Sequence, residues 1–309
     1  MRRVAGGRAN PAVLADPERL KKIRADLPVL FVAGDKDPVN RNLDGLHLLE
    51  KWWRDAGVEQ IDTSVTIMGR KSALPLILSP TALQRVFHWE GERAVARAAE
   101  KFGLWFGISS LATVSIEEVA AMVSTPKMFQ IYVHKDKGLN RSMIERCQAA
   151  KFDAIALTVD TIVGGKRERC ARSGFSSPPR FTPSSLLSYA TRPAWAMNYV
   201  FREKFALPNL DTYVRAGTAE AVSIQQYFGT MLDQSMTCQT AEQIRNDWRG
   251  AFCLTGVTSV AAARRPVQIG SDALMTCPPG GRPSGRPPPP LARWPEVVDA
   301  LALHDKELL

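Results

Sequence analysis

Short apolar runs alternate with amphipathic stretches from about residue 58 to about residue 275. Compact apolar runs between turn signals indicate buried strands, and apolar positions at helical spacing indicate helices that bury one side. The predicted strands are Leu74–Leu78, Leu104–Ile108, Met128–Val133, Ala154–Val159, Ala251–Leu254 and Ala273–Met275, and the predicted helices cover 90–102, 115–123, 140–151, 241–248 and 259–269. Strands that alternate with helices at this interval predict an α/β fold with a parallel sheet, and this many units favour an incomplete (β/α)8 TIM barrel.

Three regions interrupt this rhythm. Residues 17–57 predict a helix, a strand, a turn and a helix, so we expect residues 1–57 to form a separate segment ahead of a barrel domain over 58–309. Residues 170–215 are rich in Ser, Pro and aromatic residues, which is typical of a lid over a site or an interaction loop. Residues 278–290 are dominated by Pro and Gly and predict a loop, while 294–303 predict a final amphipathic helix.

Composition narrows the class of protein. The 309 residues are 45% hydrophobic, which is enough for a large core. No apolar run is long enough to span a membrane, and no secretory signal is evident. We therefore expect a cytoplasmic protein, and a peripheral contact with the inner face of the membrane is the alternative. The net charge of +9 could indicate binding to nucleic acid. Because the cations are spread along the chain, no nucleic-acid partner is expected. The five cysteines show no pairing pattern, so neither a disulfide framework nor a metal site is predicted. The sequence does not decide whether the chain forms a homo-oligomer.

Polar residues follow one predicted strand at the point where it ends. Thr158, Asp160 and Arg167 come after the apolar run Ala154–Leu157, and in a barrel the carboxyl ends of the strands carry the active site. This stretch resembles the fourth strand of the FMN-dependent 2-hydroxy-acid oxidases and dehydrogenases, the L-lactate dehydrogenase branch in particular. The resemblance implies that Thr158 contacts the flavin ring, that Asp160 pairs with a catalytic histidine, and that Arg167 binds the substrate carboxylate, for which a guanidinium is well suited.

Motifs at the ends of the preceding strands occur in the same family order. Ser109 matches the residue that bonds the isoalloxazine ring, and Gln130 and Tyr132 match the third strand. Gln130 and Tyr132 are two positions apart on a strand, so they point to the same face. The resemblance implies FMN as the cofactor, a flavin contact for Gln130 and a substrate contact for Tyr132. The backbone that it places beneath the flavin is that of Pro80, Thr81 and Ala82.

The implied reaction is oxidation of an L-2-hydroxy acid such as L-lactate to the 2-oxo acid, yet two groups of the family's site are replaced. Pro279 stands where the family has its histidine base, although Arg282 of the same motif is retained as a substrate contact. Thr255 stands where the family has a lysine that faces the flavin. A base and a cation both assist this chemistry, so we expect impaired turnover. The alternative is a non-catalytic binding protein of the same fold.

Both ends of the chain depart from the family as well. The six predicted strands leave out the last two strands of the barrel, whose loops commonly bind phosphate, so we expect weak FMN binding. Residues 17–57 resemble the late part of an α/β-hydrolase of the lysophospholipase type, in which Asp37 matches the acid of a Ser-His-Asp triad. No Gly-x-Ser-x-Gly elbow occurs in the chain, so ester hydrolysis is not expected.

Overall fold

The computed structural model describes residues 62–161, 172, 182–203, 206–210, 231–257, 268–275 and 307–308. The chain divides into two compact units, residues 1–76 and residues 77–309. The hydrolase-like segment, the Pro-rich loop and the final helix predicted above fall outside the described residues. Those predictions, and the predicted domain boundary, stay predictions.

The described part of the first unit is a β-hairpin. Strands β1 (Val65–Ile67) and β2 (Arg70–Ser72) pair antiparallel. Met68 and Gly69 connect them with φ angles of 46° and 75°, a left-handed pair that suits the twist of a tight hairpin.

The second unit contains a parallel sheet whose strands lie in chain order. Each neighbouring pair is parallel, as expected where helices connect successive strands. The strands are β3 (Ile77–Leu78), β4 (Trp105–Ser109), β5 (Lys127–Ile131), β6 (Ala154–Thr158), β7 (Ala251–Thr255), β8 (Ala273–Met275) and β9 (Glu307–Leu308). The sheet forms part of a (β/α) barrel, which confirms the predicted fold class.

Helices follow most of these strands, and polar side chains fix where three of them begin. The Ser115 hydroxyl, the Asp136 carboxylate and the Thr237 hydroxyl accept hydrogen bonds from backbone N–H groups in the first turns that follow them. The helices are α1 (Glu92–Phe102), α2 (Ile116–Met122), α3 (Lys137–Ala149), α4 (Pro183–Ala190), α5 (Pro193–Phe201) and α6 (Cys238–Asp247), with a short 3₁₀ turn at Gln84–Val86.

The two faces of the sheet have different roles because side chains alternate along each strand. On one face, buried apolar side chains such as Ile108, Phe129 and Leu157 share a core with residues of α1, α2, α3 and α6. The opposite face carries Ser109, Gln130 and Thr158 at the carboxyl ends of β4, β5 and β6. The helix-packed face therefore supplies the core, and the other face carries the candidate site.

Two features of the local structure were not predicted. The chain has a seventh strand in this sheet, β9, which pairs with β8, whereas six strands were predicted. The insertion predicted as a lid or loop contains two helices, α4 and α5. Pro193 stands at the start of α5, a position where proline suits a helix because its fixed φ is already helical.

Candidate functional site

The carboxyl ends of four neighbouring strands bring the predicted flavin contacts together. Ser109 of β4 is the register partner of Gln130 of β5, and Thr158 of β6 is the register partner of Thr255 of β7. All four side chains are buried. They form a polar row along the edge of the sheet where barrel enzymes carry their chemistry.

Hydrogen bonds join three members of this row into one chain. The Ser109 hydroxyl donates to Gln130 Oε1 at 2.9 Å, and Gln130 Nε2 donates to Thr158 Oγ1 at 2.7 Å. The Leu111 N–H donates to Ser109 Oγ at 3.2 Å. The amide of Gln130 is therefore held at both ends, which fixes the position of the amide group between β4 and β6.

This network leaves defined groups for a ligand. The Ser109 proton is used by Gln130, whereas the Thr158 hydroxyl, which accepts from Gln130, keeps its own proton. The second N–H of Gln130 has no acceptor within the described part of the chain. A flavin presents carbonyl oxygens and ring nitrogens along one edge, so donors from Gln130 and Thr158 fit the group that the sequence predicted.

The segment after β3 lies against β4 beside this row. Gly107 has no side chain, and a β-carbon there would be 2.7 Å from Pro80 Cδ and 2.9 Å from Pro80 N, so only glycine lets Pro80 approach so closely. Gln84 Nε2 donates to Thr81 Oγ1 at 2.6 Å, which ties Thr81 to the turn that follows. Ala82 packs against the core. Pro80, Thr81 and Ala82, which we call the predicted flavin floor, thus lie beside the end of β4.

Two further predicted residues lie at the same end of the sheet. Tyr132, half-buried, follows β5 two positions after Gln130. Asp160, also half-buried, follows β6, and its Oδ1 accepts a hydrogen bond from Thr161 Oγ1 at 2.9 Å. Arg167, Arg282 and Pro279 lie outside the described residues, so their roles stay predictions.

His134 is not placed to act as a base at the site. It follows Tyr132 closely in sequence, but its ring is buried, and Nδ1 lies 2.9 Å from Asn140 Oδ1. Burial lowers the pKa of His134 to about 4, which makes it neutral and weakly basic at pH 7. Asn140 also bonds the backbone N–H and C=O of the same residue. His134 therefore serves the local structure.

The insertion between β6 and β7 is attached to the segment that follows β3. Arg85 donates to the Glu203 carbonyl at 2.5 Å, and Arg93 Nη1 pairs with Glu203 Oε2 at 3.2 Å. Trp195 Nε1 of α5 donates to the Val86 carbonyl at 2.7 Å. The helices of the insertion are consequently anchored next to the loop that carries the predicted flavin floor.

Two residues that hold segments near the polar row were not recognised from the sequence. Glu92 is buried and accepts hydrogen bonds from residues of two different loops. Gly256 allows Asp160 to lie against the end of β7. The signal for Glu92 was a carboxylate at the predicted start of a helix, and the signal for Gly256 was a glycine directly after a strand. Within the described residues, no group of three or more His, Cys, Asp or Glu side chains is arranged to hold a metal ion.

Comparisons with known proteins identify relatives of this chain. The chain is 35% identical over 251 residues to an L-lactate dehydrogenase of Alcaligenes faecalis, covering 79% of this chain and 64% of the relative. An L-lactate dehydrogenase of Yersinia pestis is 32% identical over 229 residues, covering 73% of this chain and 59% of the relative. The chain thus spans less than two thirds of the length of these relatives.

Solved structures show the same fold. A mandelate oxidase crystallised with (S)-4-hydroxymandelic acid superposes with a TM-score of 0.66 at 29% identity, covering 81% of this chain and 64% of that chain. The monotopic membrane protein (S)-mandelate dehydrogenase superposes with a TM-score of 0.72 at 24% identity, covering 81% of this chain and 65% of that chain. Residues 37–307 match the model of the FMN-dependent dehydrogenases. This match covers most of the chain, and with the lactate dehydrogenase relatives it shows that the chain belongs to the FMN-dependent dehydrogenase family.

Proposed function

We propose that this chain binds FMN across the ends of β3–β6 and oxidises an L-2-hydroxy acid of the lactate type at an impaired rate. The observation that supports this most directly is the hydrogen-bonded row Ser109–Gln130–Thr158, which presents oriented donors at the strand ends. FMN, when bound, supplies the two-electron acceptor. Relatives named as L-lactate dehydrogenases support lactate as the first substrate to test.

The protein's own residues divide into flavin contacts and substrate contacts. Gln130 and Thr158 orient the flavin ring, and the backbone from Pro80 lies beneath it. Arg167 and Arg282 bind the substrate carboxylate, because a guanidinium forms a paired hydrogen bond with it. Tyr132 contacts the substrate from β5.

The rate is impaired because two groups are replaced. Pro279 has no titratable group, and a positioned base contributes roughly 10²–10⁴-fold to proton transfer. Thr255 is neutral, so the negative charge that develops on the flavin lacks its cation, a loss of about 10²–10³-fold in comparable electrostatic sites. Asp160 keeps its place beside β7, but its histidine partner is missing.

Anaerobic flavin reduction tests this proposal. The chain is loaded with FMN and mixed with L-lactate, and the loss of the visible absorbance of oxidised flavin is followed over time. We expect slow bleaching in the natural chain, faster bleaching in P279H and in T255K, and the fastest in P279H/T255K. A natural chain that bleaches as fast as the double variant would contradict the impairment, and one that does not retain FMN would contradict the cofactor.

The alternative is a binding protein of the same fold without turnover. The replacements Pro279 and Thr255 favour it, because both remove groups that act in the reaction and leave the flavin contacts of β4–β6 in place. The double variant separates the two functions. Stable FMN binding with no bleaching in P279H/T255K would assign the chain to the non-catalytic class.

We also propose that the insertion makes a peripheral contact with the cytoplasmic face of a membrane. Within the described residues no helix is both long and apolar enough to cross a membrane. Helices α4 and α5 nevertheless expose large apolar side chains, with Leu187 at 70%, Met197 at 60% and Phe201 at 78% of their full exposure. Arg192 is exposed between the two helices. Apolar side chains with neighbouring cations suit the surface of an anionic bilayer.

A further inference from the structure

We propose that Glu92 is a positioning residue, which fixes the segment after β3 in the conformation that supports the flavin ring. The inference rests on the proposed function, because Pro80, Thr81 and Ala82 belong to that segment. It concerns a buried carboxylate whose hydrogen bonds run to Gln84 and Thr113. Glu92 acts through the two loops that it joins.

Glu92 bonds both loops at once from the first position of α1. Its Oε1 accepts from the Gln84 N–H at 3.3 Å, in the loop after β3, and from the Thr113 N–H at 3.0 Å, in the loop after β4. Its Oε2 accepts from the Thr113 hydroxyl at 2.5 Å. The residue is 0% exposed, so water does not replace these donors.

The loop held in this way has an unfavourable backbone conformation. Leu83 has φ 58° and ψ 38°, the left-handed region that residues with a β-carbon seldom adopt. Its N–H donates to the Leu111 carbonyl at 3.1 Å, again joining the same two loops. A strained residue keeps such a conformation only when its neighbours hold it. Glu92 holds the next residue, Gln84, and Gln84 in turn bonds Thr81.

A carboxylate suits this arrangement because all three contacts of Glu92 are made with donors. The beginning of α1 also favours a negative charge, because the N–H groups of the first turn point toward it. Gly91 precedes Glu92 with φ 48°, and a β-carbon there would be 2.5 Å from Arg85 Cγ. The chain therefore enters α1 with the carboxylate directed between the loops.

Glu100 on the same helix is exposed, so it provides a comparison for the pattern of bonds but not for burial. Its Oε1 accepts from the Ser124 N–H at 2.7 Å and from the Ser124 hydroxyl at 2.9 Å, so it bonds a backbone amide and a hydroxyl as Glu92 does. Ser124 follows α2 and precedes β5, so this pair lies toward the opposite end of the strands. Removing Glu100 tests the loss of a similar bond pair away from the site.

The first experiment uses the flavin-free chain and measures amide hydrogen exchange. In E92A we expect exchange at the Leu83, Gln84 and Thr113 amides to rise at least about tenfold, with the amides of β4 still protected. In E100A we expect the increase at Ser124 instead. E92M keeps the length of the side chain but has no oxygen to accept these hydrogen bonds, and it keeps the test open if E92A does not fold. Unchanged exchange at these amides in a folded Glu92 variant would overturn the proposal.

The second experiment adds FMN and follows binding and the visible circular dichroism of the bound flavin. We expect E92A to raise the FMN dissociation constant at least about tenfold and to change the dichroism, while E100A changes neither. Natural binding and dichroism in a folded E92A would overturn the positioning role. If the natural chain itself fails to bind FMN, the proposed function fails, and hydrogen exchange alone decides whether Glu92 fixes the loop.

Discussion

Gly256 and Asp160 lie so close together that a β-carbon on residue 256 would be 2.6 Å from the Asp160 carboxyl carbon and 2.7 Å from its Cβ. Gly256 also has a φ of 96°, and its N–H donates to the Met275 carbonyl at 3.1 Å. Glycine therefore meets two requirements directly after β7. It accepts a backbone conformation that disfavours other residues, and it leaves room for Asp160.

We predict that G256A destabilises the protein more than G270A. Gly270 has a φ of 76°, but no atom lies within 4 Å of the position of its missing β-carbon. G270A should therefore lose only the cost of the left-handed backbone conformation, about 1–2 kcal/mol of stability. G256A adds a steric clash with Asp160, so the Asp160 side chain or the backbone must also move. Urea unfolding of both variants measures the difference. Equal losses of stability would mean that Asp160 moves aside freely.

We predict that T158V destabilises the chain more than T255V. Thr158 accepts a hydrogen bond from Gln130 Nε2, so valine leaves a buried N–H without its acceptor, at a cost of about 1–3 kcal/mol. Thr255 is the register partner of Thr158, and its hydroxyl makes no hydrogen bond to any residue that the structure describes. T255V should stay within roughly 0.5 kcal/mol of the natural chain. The two free energies of unfolding, measured at pH 7 without FMN, decide the matter.

We predict that His134 makes the protein less stable as the pH falls below about 6.5. Burial lowers the pKa of His134 from its ordinary value of 6.5 to about 4, so between these values the unfolded chain binds a proton that the folded chain does not. Stability therefore rises with pH across this window, by about 2 kcal/mol between pH 5 and pH 7.

Comparison with H134Q isolates this contribution from that of the carboxylates. Glutamine can still donate to Asn140 but does not titrate, so H134Q should lose less stability than the natural chain between pH 7 and pH 5. His88 is exposed, which makes H88Q the control, with a pH dependence like that of the natural chain. If the free energy of unfolding of H134Q changed with pH as that of the natural chain does, protonation of His134 would not contribute to the loss of stability.

The polar row at the strand ends was predictable because it depends on local pattern. Ser109 and Thr158 stand at the ends of apolar runs and Gln130 lies within one, and parallel strands in chain order place such residues side by side. Thr255 was placed at the end of its strand in the same way, and it is the register partner of Thr158. These features follow from the order of residues within single strands.

Features that join distant parts of the chain were not predictable. Glu92 bonds Gln84 and Thr113, and no periodicity marks residues 8 and 21 positions away as its partners. Strand β9 has two residues, too few to show an alternating pattern. The prolines at the starts of α4 and α5 suggested a loop, although proline is well accommodated in the first turn of a helix.

We predict that F201S weakens binding to anionic lipid vesicles, while F102S does not. Phe201 ends α5 in the insertion and is 78% exposed, and Phe102 ends α1 and is 59% exposed, so both substitutions remove an exposed phenyl ring from a helix end. Burial of a phenyl ring in the bilayer interface contributes about 1.5–3 kcal/mol, so F201S should reduce the partition coefficient roughly tenfold or more. Co-sedimentation with vesicles rich in phosphatidylserine or phosphatidylglycerol measures it, and L187S should act in the same direction as F201S. Equal effects of F201S and F102S would show that the contact does not involve the insertion, and natural binding in both F201S and L187S would exclude α4 and α5 as the membrane surface.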